Sequence, residues 1–320
     1  YLKSISLGVW VKAGSIMETK ENSGVSHFIE HMLFKGTTNR TSKELAREMD
    51  NLGGVINAFT SKECTCFYVK LLDEHINIGI DVLSDMILNS RFDELDIKKE
   101  KSVILEELKM YEDSPDDLVY DLLLENIYKD HSLGMNILGD RQSLKNLKRE
   151  SILDYYNEYY VPNNSIISIC GNFKFEEIVK QIEEKFKTWQ PKSVDTTTTK
   201  PNFNPCIVKK NKDIEQVNLA INLDAIPMTN NREVYALSVV NNVFGGSISS
   251  RLFQKIREEK GLAYSIYSSQ TLYEDCGELG IFASTSTENI QEVYKSILEE
   301  IELIRNEYIS PQEIHESKEQ

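Results

Sequence analysis

Two histidines and a glutamate stand closest to chemistry in this chain. They are His27, Glu30 and His31, in the run Ser-Gly-Val-Ser-His-Phe-Ile-Glu-His-Met-Leu-Phe-Lys-Gly at 23–36. The run reads as a short helix with Ser23 as N-cap and Gly36 as its stop. Val25, Phe28, Ile29 and Met32 make an apolar side. His27, Glu30, His31 and Phe34 make a second stripe, because residues three and four apart share a helix face. One turn apart, the imidazoles can reach a single zinc ion, and Glu30 can lie beside the metal as a base instead of a ligand. The pattern is His-x-x-Glu-His, the inverse of His-Glu-x-x-His. Two surface histidines beside a solvated glutamate would spell the same five letters. Scarcity argues against that reading: the chain has five histidines, and two fall at ligand spacing on an otherwise apolar segment.

A second helix, over 93–113, carries acids where a core is expected. Its stripe runs Ile97, Glu100, Ile104, Glu107, Tyr111, at steps of three and four. A carboxylate on a buried face costs several kcal/mol unless its charge is compensated. A metal would compensate it; partial exposure of this face would also relieve the cost. Glu106 points about 100° away from the stripe and is the weaker ligand candidate.

The surrounding elements follow from pattern and punctuation. A strand over 2–13 alternates into the Gly14 turn. A helix over 42–52 is stopped by Gly53-Gly54. Segments 55–61 and 64–72 read as a hairpin, and 75–89 as a helix. Helices at 116–128 and 144–160, a strand at 165–171 and a helix at 175–189 complete the first part. His75 and His131 read as surface and loop residues. Residues 190–205 hold three prolines and four consecutive threonines and read as a linker. Beyond it, strands are predicted at 216–223, 262–268 and 278–284, with helices at 231–244, 247–260 and 287–308. Leu45, Met49, Gly54 and Asn57 match Leu252, Ile256, Gly261 and Tyr264 at equal spacing. Ile76, Ile80, Leu83 and Ile87 match Ile290, Tyr294, Ile297 and Ile301. An internal duplication follows, whose second copy lacks His-x-x-Glu-His. Gly245-Gly246-Ser247 lacks the spacing and the lysine of a phosphate loop and reads as a hinge.

At 320 residues the chain is long enough for two domains with their own cores, and 40% hydrophobic with 27% charged residues is ordinary for a globular protein. No run approaches the ~18 apolar residues that span a bilayer. The formal charge of −15 argues against nucleic acid or an anionic membrane as partner. The five scattered cysteines suit a reducing compartment, and a cytoplasmic location is the expectation. Cys64 and Cys66 share a sheet face and read as strand packing.

Taken together, these residues resemble the pitrilysin/insulinase-type zinc peptidases, the inverzincins, and among them two-domain bacterial members similar to mitochondrial processing peptidase. The resemblance covers nearly the whole chain. It implies an α+β fold: two related domains, 1–189 and 206–320 about the linker 190–205, each a mixed, mostly antiparallel sheet packed with helices. It implies zinc, one ion per site, on His27, His31 and a glutamate about 75 residues further on. Seventy-five residues separate His31 from Glu107, which selects Glu107. Glu100 resembles the family's supporting acid. Ile56, Asn57, Ala58, Phe59 and Thr60 resemble the edge strand to which a peptide substrate is added. Arg257 and Tyr264 resemble a pair that faces the zinc from the opposite half of the enzyme. The resemblance further implies peptide hydrolysis with Glu30 as general base, and a homodimer or a heterodimer with a related subunit. The alternative is a non-catalytic assembly subunit of the same family. Family members also carry strands before Tyr1 and sequence after Gln320, so the second domain is expected to be shortened here.

Overall fold

The computed structural model describes residues 2–320. The chain forms two compact units. One holds the chain up to Met110 and Lys129–Thr199; the other holds Tyr111–Tyr128 and Lys200–Gln320.

The first unit is built on four antiparallel strands: β1 (Ser4–Val11), β2 (Val55–Thr60), β3 (Thr65–Leu72) and β4 (Ser165–Gly171), in the order β2-β3-β1-β4. Helices α1 (Val25–Leu33) and α2 (Ser42–Asn51) lie between β1 and β2 in the chain, and α3 (Ile76–Asn89) and α4 (Glu94–Asp113) between β3 and β4. Alternation puts Ile5, Leu7, Val9 and Val11 of β1 and Phe67, Val69 and Leu71 of β3 on one sheet face. That face is buried against Val25, Phe28, Ile29 and Met32 of α1 and Ile80, Leu83 and Ile87 of α3. Each such side chain contributes about 1.5–3 kcal/mol on burial. The apolar side of α1 is therefore committed to the core, and its histidine stripe has one direction left to face.

The start of α1 departs from expectation. Ser23 does not cap it. The cap position is Gly24, in the left-handed region at φ +89°, with no side chain to offer. The buried carboxylate of Glu18 takes the role instead, accepting from the backbone N–H of Gly24 at 2.7 Å and of Ser26 at 2.8 Å. Helix α2 is capped as its sequence implies, by a Thr41–Glu44 capping box.

After α5 (Pro115–Ile127), the segment expected as one helix over 144–160 forms two, α6 (Arg141–Asn146) and α7 (Arg149–Tyr159). Lys148 is extended at φ −112°, ψ 158°, and Lys101 of α4 donates to the freed carbonyl of Lys145 at 3.0 Å. Helix α8 (Phe175–Phe186) ends the regular structure of this unit, and none recurs before residue 217.

The second unit has strands β5 (Val217–Ala225), β6 (Ala263–Leu272) and β7 (Gly277–Thr285), antiparallel in the order β5-β7-β6. Its helices are α9 (Asn231–Asn241), α10 (Ile290–Glu307) and α11 (Pro311–Glu319). Helix α5 also belongs here, although chain order places it in 1–189: Tyr120 packs edge-on against Phe282 at 5.7 Å, and Ser284 donates to Asp116 at 3.2 Å. Both units are thus antiparallel sheets with packed helices, and the sheet orders β2-β3-β1 and β6-β7-β5 correspond.

The correspondence is shifted from the one read in sequence. Two π-helical segments, Asn242–Gly246 and Phe253–Glu259, occur in the second unit. A π-turn accommodates an extra residue. Met49 and Gly53 are four apart, whereas Ile256 and Gly261 are five apart. Gly53 and Gly261 share the left-handed conformation, at φ +61° and +62°. Gly261 therefore corresponds to Gly53 and not to Gly54. Tyr294 is also no core counterpart of Ile80, being exposed while Val293 is buried. No helix among the described residues is long and apolar enough to cross a membrane.

The Glu18 cap yields a stability prediction. Replacing Glu18 by Ala strands two N–H groups and should cost about 2–4 kcal/mol in urea unfolding of the full chain. Burial pushes the Glu18 carboxyl up to about 7, with the Ser26 and Gly24 backbone bonds pulling the other way. A raised folded-state value means that the stabilising proton is held below the usual carboxyl range and lost through about 7. The gap between wild type and Glu18→Ala should therefore shrink as pH rises across that window; a gap that widens contradicts the assignment.

Candidate metal centre

Helix α1 projects His27 and His31 one turn apart, with ring centroids 4.5 Å from each other. Helix α4 brings Glu107 to both. Its Oε1 lies 3.8 Å from His27 Nε2, and its Oε2 lies 3.6 Å from His31 Nε2. These separations exceed a hydrogen bond. They approach the roughly 3.3 Å between donors around a tetrahedral zinc with ~2.0–2.1 Å bonds. His27, His31 and Glu107 form the one group of metal-ligand type found among the described residues, with ligand atoms within 4.8 Å of one another. Two imidazoles and a carboxylate are a donor set used by zinc hydrolases, so the residues present fit that ion.

The electrostatics agree with this donor set. Burial, reinforced by His31, pushes His27 down to about 3, so its ring stays neutral. Burial raises Glu107, with His31 pulling it back. Glu100 lies one layer further out. Its carboxylate accepts from His31 Nδ1 at 3.1 Å and from Lys35 Nζ at 2.6 Å. A carboxylate only accepts, so a proton sits on His31 Nδ1, and in the neutral ring that tautomer leaves Nε2 with its lone pair. Burial pushes Glu100 up, but the bonds from His31 and Lys35 outweigh it and hold the carboxyl below its usual range. Glu106, by contrast, is turned to solvent and paired with Lys109 at 2.5 Å.

Glu30 stands on the same helix face, outside the donor triangle. Its Oε2 accepts from Thr60 Oγ1 at 2.5 Å. Burial raises its pKa, and the Thr60 bond offsets part of that. Thr60 ends β2, the edge of the first sheet. Along β2, Ile56, Ala58 and Thr60 alternate with the exposed Val55, Asn57 and Phe59, and the Ala58 N–H donates to Asn57 Oδ1 at 2.8 Å.

Arg257 and Tyr264 are brought together in the second unit. The Arg257 guanidinium lies 5.9 Å from the Tyr264 ring and 4.7 Å from that of Phe253. Tyr264 is 74% exposed, available for contact with another molecule.

Sequence reading missed three contributions. Lys35 was legible as the residue four after His31. For Thr60, expected on the substrate-binding edge strand, what is new is its bond to Glu30. Glu18 left no local signal, since its partners arise only when the chain turns back.

Comparison with known proteins adds two kinds of finding. A family model described as insulinase, peptidase family M16, matches residues 2–141, which contain His27, Glu30, His31, Glu100 and Glu107. One described as the peptidase M16 inactive domain matches residues 146–320. A Bacillus subtilis protein named uncharacterized zinc protease YmxG is 44% identical over 319 residues, covering 100% of this chain and 78% of its own. A Rickettsia felis protein named uncharacterized zinc protease is 38% identical, covering 94% of this chain and 73% of its own. A Helicobacter pylori protease structure superposes with a TM-score of 0.89 at 22% identity, covering 98% of this chain and 77% of that one. A Pseudomonas fluorescens structure titled peptidase M16 inactive domain gives 0.93 at 18% identity, covering 99% and 78%.

Proposed function

The chain belongs to the insulinase family, peptidase family M16, and on that premise we propose that it is a zinc-dependent endopeptidase acting on peptides or unfolded segments. One observation carries the reading: three donors from two helices converge within 4.8 Å, beside a fourth side chain, Glu30, that is held by Thr60 and free of the triangle. His27, His31 and Glu107 would hold one zinc per site. Zinc held there would supply Lewis acidity and bring the pKa of water toward ~7.

The remaining work falls to the chain's own residues. Glu30 takes the proton of the attacking water. Thr60 occupies its Oε2, which directs the proton to Oε1, and burial raises its basicity for that task. A peptide laid along β2 adds a strand to the open edge at Ile56, Asn57, Ala58, Phe59 and Thr60, so backbone bonds give affinity with loose sequence preference. Because Thr60 serves both strand and base, the scissile amide is placed where Glu30 can pass the proton taken from water to the leaving nitrogen. Tyr264 and Arg257 supply an oxyanion donor and a positive charge from the second domain of a partner subunit, in a homodimer or a heterodimer with a related chain. The odd, scattered cysteines support a reducing, cytoplasmic setting.

A second reading is favoured by the word inactive in the family description that matches 146–320: a non-catalytic assembly subunit. Every candidate ligand lies outside that stretch, in 2–141, so the description concerns the half that lacks His-x-x-Glu-His.

Metal analysis and peptide turnover separate the two. Glu107→Gln should lose zinc and activity together. Glu30→Gln should retain zinc while turnover falls by about 10²–10⁴; near-normal turnover would refute Glu30 as base, and a zinc-free wild type would favour the assembly subunit. Thr60→Val should cost about tenfold in kcat, equivalent to the ~1.4 kcal/mol of one hydrogen bond. Mixing Glu30→Gln with Tyr264→Phe protein should restore turnover that neither shows alone, because mixed dimers contain one intact site. A mixture as inactive as its components contradicts the shared site.

A further inference from the structure

Glu100 is the most buried acid on α4, at 4% exposure. It is gripped from both sides by residues four apart, His31 on α1 and Lys35 just past its end. Among the described residues these two are its ion-pair partners, at 3.1 Å to Oε2 and 2.6 Å to Oε1. We propose that Lys35 is a positioning residue of the metal centre, acting through Glu100 on two ligands at once.

A carboxylate has two oxygens, and each is committed here. With Oε1 held by the Lys35 ammonium, the rotamer that remains places Oε2 under His31 Nδ1. That bond turns the His31 ring and leaves Nε2 toward Glu107. Without Lys35, Oε1 would be a buried acceptor lacking its cation, and the carboxylate would gain by rotating toward solvent. The second effect follows from helix repeat. Glu100 and Glu107 are seven residues apart, so they share a face of α4 about 10.5 Å along its axis. Pinning Glu100 between His31 and Lys35 therefore also fixes the register in which Glu107 meets His27 and His31. A lysine that touches neither metal nor substrate would thus orient one ligand and index another. Partners beyond the ligands of a metal site commonly change affinity about 10–100-fold.

This inference rests on His27, His31 and Glu107 being zinc ligands, and the test separates the two. Zinc affinity of the metal-stripped full chain is measured by competition with a chromophoric chelator. Wild type, Lys35→Met, Lys35→Arg, Glu100→Gln and the Lys35→Met/Glu100→Gln double variant are compared. Lys35→Met should bind zinc roughly tenfold more weakly, and Lys35→Arg should stay close to wild type. In the Glu100→Gln background, Lys35→Met should cost nothing further, because its route to the metal is already cut. A purely structural lysine would lower the unfolding midpoint and leave zinc affinity alone. Wild-type affinity in Lys35→Met, or penalties that multiply in the double variant, overturns the proposal while leaving the ligand assignment intact. Should Lys35→Met fail to fold, Lys35→Gln replaces it with the same expectations. A wild type that takes up no zinc removes the ligand assignment itself.

Discussion

The metal centre depends on α1 and α4 meeting in a single register. The two imidazoles come from one helix and the carboxylate from another, with 75 residues between His31 and Glu107. Helix α1 is fixed by its apolar side, where Val25, Phe28, Ile29 and Met32 are fully or almost fully buried, and by the Glu18 carboxylate at its first turn. Helix α4 is anchored by Ile97 and Ile104 in the same core. Apolar contacts set distance and tolerate small slides along a helix. The contact that does not tolerate a slide is Glu100 between His31 and Lys35, since a buried carboxylate shifted off its donors is costly.

Electrostatics at the site are arranged so that each group keeps the form its task needs. His27 is neutral because it is buried beside a second imidazole. His31 is oriented by an acid that the bonds from His31 and Lys35 hold below its usual range against burial. Glu30 and Glu107 are both raised by burial, and a cation placed between such groups would relieve the cost that burial imposes. The acids of α4 thus divide by environment: Glu100 enclosed, Glu107 half-exposed and facing the imidazoles, Glu106 out in water. Helix periodicity separates Glu106 from the other two, because residues seven apart return to one face and adjacent residues do not.

That division explains what was legible in the sequence. His27, Glu30 and His31 share one turn of one helix, so their juxtaposition is local and spacing reveals it. Glu100 and Glu107 stand out because acids interrupt an apolar stripe. The hairpin was legible from two β-rich segments about a short polar turn, and its edge position from the family resemblance. What sequence did not reveal was decided by partners outside any helix or strand repeat. Ser23 has the chemistry of a cap, yet Glu18 caps α1 because the preceding loop folds back. The predicted helix over 144–160 breaks where Lys101 of another helix takes a carbonyl. Periodicity marked α5 as helical but not which sheet it would cover, and Tyr120 on Phe282 settles that. The duplication was visible, but its register across Phe253–Glu259 slips by one residue, because hydrophobic spacing does not distinguish a π-turn from an α-turn.

The proposed centre requires a divalent ion coordinated by nitrogen from α1 and oxygen from α4. X-ray absorption at the zinc edge of the purified full chain tests that directly. The account predicts one zinc per chain, with light-atom ligands at about 2.0–2.1 Å, including two imidazoles, and no sulfur. Loss of the imidazole scattering in His31→Ala would tie that signal to the site. A spectrum dominated by sulfur near ~2.3 Å, or material purified without chelators that holds no metal, would contradict it.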